Sequence, residues 1–170
     1  QHYYATIQSG TISLWKAAGP LGTAYTQTTT SITGAANLHL RTLHTDPDLG
    51  IVLFVENTAG GLNRQYTSTE GASFVSTVIN SSGTQPAFCV DDLGLEYYIW
   101  RTSGGAIQGK ILDATGTVLT GASPITLVAA NVADQSIDIY ERLDDLYIVY
   151  NHTTNGITVV RSTDGGRTYS

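Results

Sequence analysis

Three pairs of closely spaced carboxylates are the residues of this sequence whose type and spacing could do chemistry. They are Asp46 and Asp48, Asp91 and Asp92, and Asp144 and Asp145. Two neighbouring carboxylates could serve as acid and base in glycoside hydrolysis. Each pair, however, stands between an apolar strand and an aromatic one at a repeated place in the chain, where an Asp caps the backbone N–H groups of a turn. We therefore predict a structural role for these pairs and no catalytic residues, because a catalytic pair would occur once.

Arginine, histidine and cysteine offer few other reactive groups. Arg41, Arg101 and Arg142 are scattered along the chain, and each is interpreted as a solvated or ion-paired strand residue. The four histidines show no spacing typical of metal ligands. The single cysteine, Cys89, lies in an apolar run that is typical of a buried thiol. We predict no metal site and no cofactor.

The composition argues against two classes of partner. The 170 residues carry a formal charge of −6, with 8 Lys and Arg against 14 Asp and Glu. Nucleic-acid-binding proteins place a basic stripe on one face, and this sequence has none. A run of about 18 apolar residues is also lacking, so we expect no membrane insertion. The many Thr, Ser and Gly residues favour short strands and turns within one domain, 1–170.

An aromatic or β-branched run followed by a glycine-containing turn recurs four times, and a second turn glycine follows 10 to 12 residues later. The paired glycines are Gly10 and Gly22, Gly61 and Gly71, Gly105 and Gly116, and Gly156 and Gly166. Self-similarity at a near-constant period is the signature of a repeat architecture. The spacing predicts an all-β chain of four antiparallel units, approximately 1–37, 38–86, 87–135 and 136–170.

The last nine residues predict a turn that is closed by its own side chains. Asp164 can accept hydrogen bonds from backbone N–H groups, Gly166 allows a positive φ, and Ser162 and Thr168 supply hydroxyl groups. Tyr169 would bury its ring beneath the turn. This stretch resembles the Asp-box, S-x-D-x-G-x-T-W, of BNR-repeat proteins, with Tyr169 where the motif usually has Trp.

The resemblance implies a β-propeller of the sialidase-like or phage tail-fibre type, in which each four-stranded blade carries one box. The stretch from Thr67 to Phe74 is a weaker copy with Thr69 in the place of Asp, so we expect its central acceptor to be lost. Two fainter copies fall at 112–119 and 18–25. The first unit lacks a first strand and the last unit ends at its box without a fourth strand. We therefore expect a larger ring or a ring completed by other chains, with a four-bladed ring closed by its own ends as the narrower alternative.

Alternation of antiparallel strands divides the connections between two faces. The acidic turns and the boxes share one face, whereas the turns between second and third strands share the other with the crossovers 28–37, 79–85 and 128–135. In sialidase-like propellers the second face is the functional one. Planar amide and guanidinium groups suit sugar hydroxyls. The ligand-binding candidates on that face are Asn57, Arg101, Asn151 and His152.

These observations favour a non-catalytic structural and receptor- or glycan-binding module of a virion or a secreted surface protein. Its partners would be a glycan or cell-surface receptor and other chains of a virion or surface assembly. One alternative is a sialidase-like glycoside hydrolase fragment, which needs an arginine cluster and a Tyr-Glu nucleophile pair. The other is a purely architectural domain.

Overall fold

The computed structural model describes residues 3–17, 24–42, 50–69, 72–134 and 137–170. These residues form fourteen β-strands and no helix. The strands are β1 (Tyr3–Gln8), β2 (Thr11–Ala17), β3 (Tyr25–Thr29), β4 (Ala35–Thr42), β5 (Ile51–Asn57), β6 (Leu62–Thr67), β7 (Val75–Asn80), β8 (Thr84–Val90), β9 (Glu96–Arg101), β10 (Ile107–Leu112), β11 (Ile125–Val128), β12 (Asp138–Arg142), β13 (Asp145–His152) and β14 (Gly156–Ser162). In the part of the chain that is described, no helix could cross a membrane.

The strands form four antiparallel sheets in which neighbours along the chain are also neighbours in space. Sheet 1 contains β1 to β3, sheet 2 contains β4 to β7, sheet 3 contains β8 to β11 and sheet 4 contains β12 to β14. The prediction of an all-β, antiparallel chain is confirmed. The described residues also show the expected strand deficit, with a three-stranded sheet at each end of the series.

Consecutive sheets stack face to face. One apolar cluster joins sheets 1 and 2, a second joins sheets 2 and 3, and a third joins sheets 3 and 4. Strand β8 contacts both β4 and β12, so the first strands of sheets 2, 3 and 4 lie side by side. The later strands of each sheet therefore point away from this common centre.

Burial follows from the position of each sheet in this stack. In β5 the five residues from Ile51 to Val55 are all buried, because both faces of sheet 2 are covered. Strand β9 is likewise buried from Glu96 to Trp100. Strand β1 instead alternates between half-buried and exposed residues, as expected where only one face is covered.

The turns and crossovers at one end of the strands are tied together by backbone hydrogen bonds. The Ala35 N–H donates to Gly10 O at 2.9 Å, and the Val132 N–H donates to Gly105 O at 2.9 Å. In both places the preceding residue has a positive φ, at Gly34 (70°) and Asn131 (66°). This end, which we call the crossover face, holds the turns after β1, β5, β9 and β13. The C-terminal turn that contains Asp164 and the Asp91 turn lie at the opposite end, which we call the box face.

A buried ion pair connects sheets 2 and 3. Arg64 of β6 donates two hydrogen bonds of 2.7 Å to Glu96 of β9, and both side chains are almost fully buried. The Tyr98 hydroxyl also donates to Glu96, at 2.5 Å. Arg64 reaches Ala114 O at 3.4 Å, so it also contacts the turn after β10. All charge buried here is therefore paired and hydrogen-bonded, as burial demands.

Candidate functional site

The Asp164 carboxylate is the centre of the C-terminal turn. It accepts hydrogen bonds from the Arg167 N–H at 3.0 Å, from the Thr168 N–H at 2.9 Å and from the Thr168 hydroxyl at 2.6 Å. The Ser162 hydroxyl donates to it at 2.7 Å and accepts from the Gly166 N–H at 2.9 Å. The hydrogen bond from Thr168 is the main cause of a lowered pKa of Asp164. This carboxylate is thus engaged in closing its own turn.

The turn after β6 contains the same kind of network without a carboxylate. The Thr69 hydroxyl oxygen accepts from the Ser73 N–H at 3.1 Å, and the Thr69 N–H donates to the Thr67 hydroxyl at 3.1 Å. The expectation that this copy lacks a central acceptor is therefore wrong, because a hydroxyl oxygen has two lone pairs and serves in place of the carboxylate. Residues 18–23 of the faintest copy lie outside the described residues.

The prediction that the acidic pairs cap their turns is confirmed for Asp91 but not for Asp145, whose carboxylate contacts a strand neighbour instead. Asp91 accepts from the Leu93 N–H at 2.9 Å, from the Leu95 N–H at 2.8 Å and from the Tyr97 hydroxyl at 3.0 Å. Asp145 forms an ion pair with Arg161 on the neighbouring strand. The Asp91 carboxylate thus binds backbone N–H groups of its turn, and the Asp145 carboxylate binds a side chain of the neighbouring strand. Asp46, Asp48 and the side chain of Arg41 lie outside the described residues.

On the crossover face, three turns are closed by the residue that precedes them. Asn57, Thr102 and His152 occupy equivalent positions in sheets 2, 3 and 4. Asn57 accepts hydrogen bonds from the N–H groups of Ala59 at 3.0 Å and Gly61 at 2.9 Å. Thr102 accepts from the Ala106 N–H at 3.1 Å. His152 accepts from the N–H groups of Thr154 at 3.1 Å and Asn155 at 3.2 Å. Because His152 accepts through Nδ1, its neutral ring carries the hydrogen on Nε2.

A polar cluster lies beside these turns, between sheets 3 and 4. We use the name for Gln85, Arg101 and Asp134. The Asp134 carboxylate accepts from Gln85 Nε2 at 2.8 Å and lies 3.5 Å from Arg101 Nη1. Arg101 Nε also donates to Val132 O at 3.0 Å, which fixes the plane of the guanidinium. The Asp134 side chain is 81% exposed and that of Arg101 is 15% exposed, so the Asp134 carboxylate is the part of the cluster that faces solvent.

A β-bulge positions Gln85. The pairing of β8 with β9 shifts register between Thr84 and Ala87, and Gln85 has a φ of 51°. Bulges re-aim side chains and are common beside functional sites. The Gln85 Oε1 atom is buried and accepts no hydrogen bond from the described residues. Strained backbone and an unsatisfied acceptor each carry a cost, and such features gather at functional sites.

Three of the four sequence-predicted ligand residues contact one crossover, Arg101 through its side chain and Asn151 and His152 through their backbone. The segment that carries Asp134 pairs with the end of β13, because the Ala133 N–H donates to Asn151 O at 2.8 Å and Val132 bridges His152. Arg101 binds the same segment from the other side. Asn57 lies on the same face at the turn of sheet 2, where the Thr58 N–H donates to Gly34 O at 2.7 Å.

Sequence reasoning missed Gln85 and Asp134 as individual residues. Both stand near the ends of crossovers assigned to this face, 79–85 and 128–135, which was the one available signal. Their meeting depends on the bulge and on the stacking of sheets 3 and 4. Among the described residues, no group of His, Cys, Asp or Glu is arranged to hold a metal ion.

Stacked antiparallel sheets that radiate from adjoining first strands define a β-propeller. The fold is similar to that of Bacteroides ovatus Xyloglucan PUL GH43B, with a TM-score of 0.61 and 11% identity. It is also similar to the NanB sialidase from Streptococcus pneumoniae (0.68, 12%) and to the SapL1 lectin (0.62, 16%). The matches cover 99%, 97% and 90% of this chain but only 38%, 29% and 53% of those chains, in the same order. No protein-family model and no curated protein sequence matches the chain.

Proposed function

We propose that this chain is a non-catalytic, glycan-binding β-propeller module whose site is the polar cluster on the crossover face. The observation that carries the proposal is the convergence of an amide, a guanidinium and a carboxylate on one solvent-facing point, with Asp134 within 3.5 Å of both partners. Asn151 and His152 border this point, and Asn57 extends the same face toward sheet 2.

The chemistry of these groups suits sugar hydroxyl groups. A hydroxyl is both donor and acceptor, so it can donate to Asp134 while it accepts from Arg101 or from the Nε2–H of His152. Arg101 is already held in plane by Val132 O, so little side-chain freedom is lost when a ligand binds. The similar structures support this class of ligand, since one is described as a lectin in complex with alpha methyl fucoside, one as a GH43 glycoside hydrolase and one as a sialidase.

A binding role is favoured over hydrolysis by the composition of the polar cluster, which contains a single carboxylate. Glycoside hydrolysis requires two carboxyl groups that flank the scissile bond. In the described chain, Asp134 is the carboxylate of the polar cluster, while Asp91 and Asp164 lie on the box face and accept turn N–H groups.

We further propose that the module acts outside the cell, on a virion or a secreted surface protein, with other chains of that assembly as neighbours.

The test is glycan-array binding by the wild-type chain and two single variants. Asp134→Asn removes the charge from the cluster, and we expect affinity for any bound glycan to fall about tenfold or more, or about 1.4 kcal/mol. Asp92→Asn is the matched control, because it makes the same change at an exposed acid on the box face. Equal binding by all three proteins would contradict the placement of the site, and a wild-type chain that binds no glycan would favour an architectural domain.

Turnover separates the module from the hydrolase alternative. We expect no release of fluorophore from fluorogenic sialosides or arabinofuranosides at any protein concentration. Release that disappears in Asp134→Asn and persists in Asp92→Asn would instead establish an enzyme at this site.

A further inference from the structure

The two end sheets each present one uncovered face that is rich in aromatic and apolar side chains. The sheet 1 outer face consists of Tyr4, Thr6, Trp15, Tyr25 and Gln27. The apolar and aromatic residues of the sheet 4 outer face are Tyr140, Tyr147, Val149, Ile157 and Val159. Both lie on the sides turned away from the three clusters that join the sheets.

Three rings are assembled on the sheet 1 outer face. Tyr4 stacks on Trp15, with ring centroids 5.5 Å apart, and meets Tyr25 edge-on at 5.0 Å. The Trp15 indole N–H donates to the Thr6 hydroxyl at 3.1 Å, so its polar atom is satisfied within the face. Tyr4 is still 41% exposed. This face is an ordered aromatic surface without a charged group among its five members.

The sheet 4 outer face has an apolar and aromatic middle with charged residues around it. Tyr140 and Tyr147 stack with centroids 5.1 Å apart. Beside them, Val159 is 52% and Ile157 is 83% exposed. Four charged residues share this face by register, namely Asp138 and Arg142 on β12, Asp145 on β13 and Arg161 on β14. Asp145 and Arg161 are paired with each other. Contiguous exposed apolar surface of this kind marks an interaction site.

The two outer faces correspond in strand position to the two surfaces that meet where one sheet packs on the next. Counted back from the turn on the crossover face, Tyr4 stands where sheets 2, 3 and 4 have Leu53, Tyr98 and Ile148, and each of these is buried against the preceding sheet. By the same count, Val149 stands where sheets 2 and 3 have Phe54 and Ile99, which are buried against the following sheet. The outer faces therefore use the same strand positions that form the sheet-to-sheet contacts inside the molecule, but no sheet covers them.

We propose that copies of this chain associate head to tail, with the sheet 4 outer face of one copy packed on the sheet 1 outer face of the next. A second copy is the occupant because the same chain supplies both halves of the contact and the existing sheet-to-sheet contacts continue across it. Such a contact is heterologous, so it builds a closed ring or an open series of copies rather than a two-fold dimer. The crossover face stays open to ligand in this arrangement.

The test is sedimentation velocity across the micromolar range. The wild-type chain is expected to show a mass above 18.1 kDa that rises with concentration. Tyr140→Glu on one face and Tyr4→Glu on the other place a charge in the contact, and each variant should remain at the monomer mass. Leu93→Glu is the control, because Leu93 is also highly exposed but lies on the Asp91 turn, away from both faces. It should associate as the wild type does.

Mixing the two face variants tests the head-to-tail geometry itself. Each variant keeps the face that the other has lost, so an equimolar mixture should form a species of twice the monomer mass and no larger one. A wild-type chain that stays monomeric throughout, or a mixture that stays monomeric, would overturn the proposal. Association of the single variants to the wild-type extent would overturn it too.

Discussion

At the residue scale, the side chains that look most reactive in this sequence are engaged in closing turns. Asp91 and Asp164 each receive two backbone N–H groups, and Asn57 and His152 do the same on the other face. The physical reason is that a strand ladder stops at each turn and leaves backbone donors without partners. Asp134 differs from these residues because its partners are the side chains of other elements.

Asp164→Asn should destabilise the fold in a pH-dependent way. The folded pKa of Asp164 is lowered, chiefly by the hydrogen bond from Thr168, so the unfolded chain binds more protons in acid. Its contribution to stability is present above the usual carboxyl pKa of about 4 and is lost as the pH falls below that value. The melting temperatures of the wild type and the variant should therefore differ most near neutral pH and converge in acid. A difference that stays constant with pH would contradict this role, and Asp92→Asn is the control.

Gly83→Ala should destabilise the contact between sheets 2 and 3. A Cβ at Gly83 would lie 2.5 Å from Trp100 Cδ1 and 2.6 Å from Leu62 Cδ1, in a fully packed region. We expect a loss of about 1–3 kcal/mol in the free energy of unfolding, measured by urea denaturation. Gly104→Ala is the matched control, because the nearest atom to its Cβ is Thr102 Oγ1 at 3.8 Å. Equal stability of the two variants would refute the packing argument.

At the scale of elements, each pair of sheets is joined by apolar packing, and sheets 2 and 3 are also joined by the Arg64–Glu96 ion pair. The pair lies 32 residues apart in sequence, and Arg64 also contacts the turn after β10. A Cβ at Gly116 would lie 3.1 Å from Arg64 Nη1, so this turn and the ion pair constrain each other. The Arg64–Glu96 ion pair therefore connects sheet 2 to the turn after β10 of sheet 3, on the box face.

Removal of one partner from this ion pair should be costly, whereas removal of both should not. Glu96→Gln leaves the Arg64 charge buried and unpaired, and we expect a loss of about 3–5 kcal/mol. In a Tyr98→Phe background, which removes the hydroxyl that would lose its acceptor, the double variant Arg64→Met with Glu96→Leu replaces the charges by apolar groups of similar volume and should recover much of that loss. A double-mutant cycle by urea denaturation measures the coupling. Additive losses in the cycle would contradict the interpretation of a mutually dependent pair.

At the scale of the whole molecule, the four sheets are not equivalent. Sheets 2 and 3 are covered on both faces, whereas sheets 1 and 4 each have an uncovered face. Backbone amides exchange slowest where burial is deepest, because opening there requires loss of the most apolar contact. The stability of the chain is therefore expected to be greatest in its middle.

Hydrogen exchange of the dilute wild-type chain should show this order. We expect the slowest amides in β5 and β9 and faster exchange in β1, β2, β13 and β14. At high concentration, association would protect the end sheets selectively, since their outer faces would then be covered. Uniform protection of all four sheets in the dilute chain would contradict the expected order.

The sequence alone determined the all-β class, the four strand-and-turn repeats and the chemistry of the C-terminal turn. Each of these depends on residues within about one strand and one turn of each other, where side-chain periodicity and turn-forming residues act locally. Only the tertiary structure decided that Gln85 meets Asp134, 49 residues away. The reason is that the bulge in β8 and the stacking of sheets 3 and 4 set this distance, and neither is encoded in any single stretch of the chain.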